Sequence, residues 1–468
     1  MITNEKSSTS DLKGAPRKNL RSKSVGLNND RKKIYSILFL ILLLGFSIRI
    51  YHLDQNQSTD EAISFLSSQK SPFEVIKENN YNPLKIVSGW EPMYPPIYFI
   101  ILHYSGANEL GDVKDYIQKI FSAGDARDID EKPDTKIFKL RFPFVILGTL
   151  SILLIFKVGE TLFDKKTGLI AAFFLSTSSY HLVYSQIARP YVIFSFFTLL
   201  TIFFFYQCLK KNSRNYWVGF ILSTIMSFYT HYYTVFIIFT EIVFLSLIFL
   251  IKNLKSSLLS LNINEKTFRN LLLSWFVIVI LSSPLIFYIL NFTFGTGNEG
   301  WNVNPNTFNY LVYPYLTANL EAFNKLIANL IRISTIFSVY IVQWIILYPY
   351  KIQYLTIPAA IVQFFAFILY ITRPILQNRS KKIEMLEPYM LLLLFISIPN
   401  IAILVTMTYS TIFEPRLYYA VFPLYLLVIS RGLEKIDNKR ILITLMAIIT
   451  LINIPAIYNW FFTIQRIQ

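Results

Sequence analysis

The chain has 468 residues, 54% of them hydrophobic and only 15% charged, against about 25% charged in an ordinary soluble protein. Its formal charge is +16 and it holds one cysteine, which excludes a disulfide framework and a thiolate metal cluster. Long apolar runs make it a polytopic, all-α membrane protein, and the basic residues follow membrane topology rather than a nucleic-acid-binding face.

Residues 1–33 carry nine Lys/Arg against three acids and are rich in Ser and Asn. They are expected to form a disordered basic cytoplasmic tail, with no cleavable signal before the first helix. Residues 34–468 then form one transmembrane domain. Apolar runs near 34–51, 138–157, 168–186, 190–209, 216–231, 233–251, 270–291, 355–372, 388–408, 417–430 and 441–460 predict about eleven membrane helices. With the tail inside, the turns on its side bring 27 of the 44 basic residues to the cytoplasmic face. That asymmetry predicts a multi-pass protein of the cytoplasmic membrane with its N-terminus inside. Cys208, within an apolar run, reads as inert packing.

Two outer segments are long. The first, 52–137, holds 14 of the 28 acidic residues. Within it, PPIYFIILHY (95–104) is too short to span and predicts a surface helix opened by proline. A polar insert (107–136) follows. The second, 292–354, contains an apolar stretch at 327–349 that is long enough to cross. Counting it as a span would move the basic NRSKKIE (378–384) outside, so it is read as an interfacial or re-entrant helix.

Just beyond the first apolar run stands QSTDEAISF, with adjacent carboxylates Asp60 and Glu61. Alone, such a pair reads as solvated loop. All four histidines, His52, His103, His181 and His231, fall on the same outer side. So do Arg141, Arg189 and Arg416, each at a helix end, where an arginine serves either as an interfacial anchor or as a fork for a lipid phosphate. Glu91, in SGWEPMYPP, is another outer carboxylate. A carboxylate held partly out of water there has the chemistry of a general base.

The order TDEA, YPPIYFIILHY, LRFPFVILGTLSILLIFKVGETLFDKKTGLIAAFFLSTSSYHLVYSQIARPYVIF, YTHYYTVF and PRLYYAVFPLYLLV resembles the GT-C superfamily of membrane glycosyltransferases. Within it, the branch of protein O-mannosyltransferases and the lipid A aminoarabinose transferase is the most similar. The resemblance covers residues 34–235 well and the C-terminal half loosely. It implies a GT-C-like helical bundle that takes a sugar from a polyprenyl-phosphate-linked donor and transfers it outside the cytoplasmic membrane to a lipid, glycan or protein acceptor. By resemblance Asp60 is the catalytic base, Glu61 its neighbour and Glu91 an accessory carboxylate. Arg141, Tyr184, Gln186, Arg189, Tyr191, His231, Arg416 and Tyr418 fall at the donor and its phosphate. Two positions depart from the family pattern. Tyr94 precedes Pro95 and Pro96 where relatives carry His or a charged residue, and Ile187 stands where they carry an acid. No metal or cofactor is indicated.

The implied chemistry is attack of the acceptor hydroxyl, deprotonated by Asp60, on the anomeric carbon with inversion, lipid phosphate leaving. Two other readings share the substrates: a polysaccharide polymerase or ligase, and a transporter or flippase of lipid-linked glycans. A transporter predicts repeats and ionisable groups at mid-membrane, where Glu241 is the one acid well inside a span.

Overall fold

The computed structural model describes residues 18–54, 61, 64–65, 68–69, 95–107, 135–255, 259–261, 263–294, 356–377, 385–406 and 415–462. Its first helix, α1 (Lys18–Ile50), starts well before the apolar run, so residues 18–33 of the expected disordered tail are helical. Residues 1–17 lie outside the described residues, as do the apolar stretch 327–349 and residues 108–134 of the 107–136 insert.

After α1 come α2 (Pro96–Tyr104), α3 (Thr135–Leu162), α4 (Lys165–Thr177), α5 (Ser179–Gln186), α6 (Pro190–Lys211), α7 (Arg214–Phe228), α8 (Thr234–Lys255) and α9 (Glu265–Phe294). The second half gives α10 (Thr356–Gln377), α11 (Glu387–Thr406), a 3-10 helix (Pro415–Val421), α12 (Phe422–Glu434), α13 (Lys439–Leu451) and α14 (Asn453–Phe462). No strand occurs among the described residues.

Seven of these helical stretches are long and apolar enough to cross a membrane. They are α1 from Arg31, α3, α6, α8, α9, α10, and α13 with α14 taken together. The other four predicted runs are helical but shorter or broken. The run 168–186 divides at Ser178, whose extended backbone (ψ 122°) ends α4 while its side chain accepts from the His181 amide to start α5. The run 417–430 divides into the 3-10 helix and the thirteen-residue α12.

Local chemistry sets several boundaries. Asp164 caps α4 through the Thr167 amide. Pro190 opens α6, where a missing N–H costs nothing. Asn212 ends α6 at φ 44°, the left-handed conformation that asparagine tolerates better than most side chains.

The core lies where α3 packs on α4 and α6, and where α12 lies against both α4 and α10. Glycines allow close backbone approaches between these helices. A Cβ on Gly159 would stand 2.7 Å from the Gly168 Cα, and one on Gly432 would stand 2.0 Å from the Ala366 carbonyl oxygen. Helices meeting at small residues gain dispersion contact along their backbones, the main attraction available between apolar helices in lipid. By contrast α1 is the least buried of the candidate spans and α6 the most.

One ion cluster ties α4, α10, α11 and α12 together at the end where α3 turns into α4. Arg431 donates to Asp164 (2.5 Å), to Glu434 (3.3 Å) and to the Tyr389 hydroxyl (3.2 Å), and its guanidinium lies 4.6 Å from the Phe163 ring centre. Arg373 donates to the Arg431 carbonyl at 2.8 Å and to Glu434 at 3.0 Å. Both arginines are buried, so these residues of the basic turns are structural pairs as well as topology signals. Glu241 is equally local: buried in α8, it accepts from the Trp275 indole of α9 at 3.0 Å.

Candidate active site

The opposite end of the bundle gathers the C-terminus of α1, the start of α3, the α5–α6 connection and the 3-10 helix, with α2 laid across them. Arg141, early in α3, is buried and forks onto Glu61, Nε to Oε1 at 3.0 Å and Nη2 to Oε2 at 2.7 Å. Its Nη1 donates to the Leu53 carbonyl at 3.1 Å. The Ala188 amide donates to the same Glu61 Oε1 at 2.8 Å. Tyr98 of α2 donates its hydroxyl to the Ala188 carbonyl at 2.6 Å. Residue 188 is therefore gripped from both sides, by a carboxylate on its N–H and a phenol on its C=O. Bidentate, charge-assisted pairing of this kind fixes orientation as well as distance.

That grip aims the next residues. Arg189, extended and about nine-tenths buried, donates from Nη1 to the Ser64 hydroxyl at 2.9 Å. Its guanidinium carbon lies 6.0 Å from the Tyr191 ring centre, and the guanidinium carbon of Arg416, from the 3-10 helix, lies 6.0 Å from the same ring. Tyr191 meets Tyr184 edge-on at 5.4 Å, and Tyr184 packs on Tyr419 at 4.6 Å. Two planar cations thus border one aromatic ring at helix ends, an arrangement suited to a phosphate group.

Below this lies a polar chain. His181 Nε2 faces the Gly148 carbonyl at 3.0 Å, which can only accept, so Nε2 carries the proton. Nδ1 is then the acceptor of the Tyr419 hydroxyl. Arg49, fully buried at the end of α1, donates to the Gly45, Ser176 and Leu175 carbonyls (2.8, 3.0 and 3.0 Å) and to the Ser185 hydroxyl (3.3 Å).

The expected site residues divide into groups. Glu61, Arg141, Tyr184, Arg189, Tyr191 and Arg416 come together. Gln186 is a brace: its Nε2 donates to the Arg49 and Tyr51 carbonyls (2.9 and 2.8 Å) and its Oε1 accepts from Trp460 at 2.6 Å, which docks α14. His231 lies between α7 and α8, its ring stacked on Phe194 at 4.8 Å and its Nδ1 accepting from the Tyr233 amide at 3.3 Å. Burial pushes its pKa down to about 3, so it is neutral at physiological pH and offers no charge to a phosphate. Tyr418 is buried, and its neighbour Tyr419 packs on Tyr184. Asp60 and Glu91 lie outside the described residues.

Sequence reasoning passed over Arg49, Tyr98, Ser64 and Tyr419. The signal for Arg49 was an arginine inside the last turn of an apolar run, which looks identical to a snorkelling anchor. Among the described residues no group of three or more His, Cys, Asp or Glu is gathered as a metal would require.

Residues 134–264 match a family described as dolichyl-phosphate-mannose-protein mannosyltransferase, a stretch that holds Arg141, the α5–α6 connection and His231. No match is found among curated protein sequences. Among solved structures, the apo oligosaccharyltransferase of Archaeoglobus fulgidus aligns with TM-score 0.52 and 13% identity, over 92% of this chain and 55% of its own. The oligosaccharyltransferase AglB of the same organism, in complex with an inhibitory peptide and a dolichol-phosphate, aligns with TM-score 0.52 and 13% identity over 93% and 56%. Apo ArnT from Cupriavidus metallidurans gives TM-score 0.47 and 12% identity over 87% and 61%. The chain thus spans little more than half the length of the archaeal structures it matches. Its helical bundle shares the fold of these archaeal membrane proteins, and the family match takes in Arg141 and the α5–α6 connection of the site.

Proposed function

We propose that the chain transfers a sugar from a polyprenyl-phosphate-linked donor to a hydroxyl of a lipid, glycan or protein acceptor. The observation that carries this reading is the pair Arg189 and Arg416 bordering Tyr191, beside the buried Glu61–Arg141 fork. Two guanidinium groups at helix ends suit a lipid phosphate whose tail stays in the membrane. The description of the matching family agrees with that donor class.

Both Glu61 oxygens already accept hydrogen bonds, from Arg141 and Ala188, so Glu61 organises the site and its neighbour Asp60 is the base. Asp60 removes the acceptor hydroxyl proton, and the oxygen attacks the anomeric carbon. The bond from that carbon to the phosphate oxygen breaks, its electron pair leaving with the phosphate, whose charge the arginines stabilise. Attack opposite the leaving group inverts the anomeric centre. The charge asymmetry supports a cytoplasmic N-terminus, an extracytoplasmic site and residence in the cytoplasmic membrane.

The test is purified protein in liposomes with a labelled polyprenyl-phosphate sugar and membrane-extract acceptors. Label should pass singly to acceptor, and Arg189→Lys, which keeps the charge but loses the fork, should raise donor KM about tenfold. Movement of intact lipid-linked sugar without label transfer would refute the reading, and long labelled products would move it to a polymerase. Cysteines placed at Ser67 and Ser380 in a Cys208-free protein should label from opposite sides; labelling of both from outside would overturn the orientation.

A further inference from the structure

At the other end of α1 the surface has a different character. A groove there is lined by Arg31, Lys32, Tyr35, Ser36, Phe39 and Leu40. Tyr35 packs edge-on against Phe156 of α3 at 6.2 Å. Lys157, from α3, and Lys165, from the start of α4, place their ammonium groups 5.5 and 5.7 Å from the Tyr35 ring centre. Two neighbouring helices therefore bring a cation each to the phenol of a groove that Arg31 and Lys32 also line. Among the described side chains the acid at this cluster is Glu160, shared by Lys157 at 2.9 Å and Lys165 at 3.8 Å. One helical turn further into the bundle the charge stops. Phe39 and Leu40 are 64% and 61% exposed, and the apolar surface continues through Leu43.

We propose that this groove binds an anionic glycerophospholipid, its phosphate against Arg31, Lys32 and Lys165 and an acyl chain along Phe39, Leu40 and Leu43. Charge complementarity selects the head group, and the abrupt change from cations to open apolar surface selects an amphiphile over a soluble phosphate. The Tyr35 hydroxyl adds a neutral hydrogen-bond donor among the charges. A diffuse basic rim attracts anionic lipid without choosing a place. Here cations from separate helices converge on one ring beside a groove, which defines a place. Arg31 and Ile50 are separated by about 28 Å along α1, at 1.5 Å per residue. That is roughly the hydrocarbon thickness of a bilayer, so this lipid is distinct from any donor bound near Arg189.

The experiment uses the full chain in nanodiscs and in detergent, with phosphatidylglycerol and phosphatidylcholine as probes. Bound lipid is counted by native mass spectrometry, and the gain in unfolding temperature is titrated against lipid. The protein should retain phosphatidylglycerol selectively. Arg31→Gln, Lys32→Gln and Lys165→Gln together should weaken its binding about 100-fold, near fivefold for each charge removed, with unfolding in phosphatidylcholine unchanged. Glu160→Gln, which releases two lysines, should tighten it. Lys252→Gln, Lys439→Gln and Arg440→Gln remove three exposed cations elsewhere and should have less than a threefold effect. Equal losses from the two triple variants, equal binding of the two lipids, or displacement by free glycerol phosphate at matching concentration would each overturn the proposal.

Discussion

Changing Glu61 to glutamine keeps the side chain's shape and removes its charge. Arg141 is only 3% exposed, so the change leaves a buried guanidinium whose two bonds to a carboxylate, at 3.0 and 2.7 Å, become one bond to a neutral oxygen. Breaking one side of a buried ion pair costs about 3–5 kcal/mol. The Ala188 amide keeps an acceptor if the new oxygen turns toward it, which places the expected loss near the lower figure. The assay is thermal unfolding of purified protein in a fixed detergent, for Glu61→Gln, Arg141→Met and the double variant. The pair is coupled, so the double variant should lose clearly less than the sum of the singles. Transfer should fall mainly through a higher donor KM, because the 188–191 segment shifts. Unfolding of Glu61→Gln at the wild-type temperature, or strictly additive single losses, would show that Glu61 does not organise this end of the bundle.

Asp60→Asn should lower turnover by about 100- to 10,000-fold while unfolding and donor binding stay at wild-type values, checked with labelled donor and a thermal melt. Arg431→Met should lower thermal stability, since Asp164 loses its partner while Glu434 keeps Arg373, and the donor KM of the surviving folded fraction should not change. His231, held neutral with its pKa near 3 against an ordinary value of 6.5, contributes stability that is complete above pH 6.5 and falls as pH drops through 6.5 toward 3. The difference in unfolding temperature between wild type and His231→Gln, followed from pH 7.5 to pH 4, should therefore shrink on acidification.

The helices were legible because a membrane core demands long apolar runs, and every predicted run whose residues are described is helical. What escaped were breaks inside runs. Nothing in the local sequence separates Ser178 from a serine that merely bonds back to its own helix, whereas here its side chain starts a second helix. Five of the residues singled out in the sequence, Glu61, Arg141, Arg189, Tyr191 and Arg416, come together from positions up to several hundred residues apart. Gln186 shows the limit of such reading. Its neighbourhood in SQIARPY marks it as polar and near the site, but the two carbonyls and the indole that occupy its amide come from α1 and α14. Likewise the role of Glu61 depends on the amide of Ala188, which no composition or spacing rule could pair with it.

Arg49 imposes an order on biogenesis. Apart from the Gly45 carbonyl in its own helix, its partners are Leu175, Ser176 and Ser185, made some 126 to 136 residues later. At about 5–20 residues per second that is a wait of roughly 6–27 s. During that interval the Gly45 carbonyl is the one of these four partners already made. Arrival of α4 and α5 supplies the remaining partners, so the first helix made completes these hydrogen bonds only after the fifth.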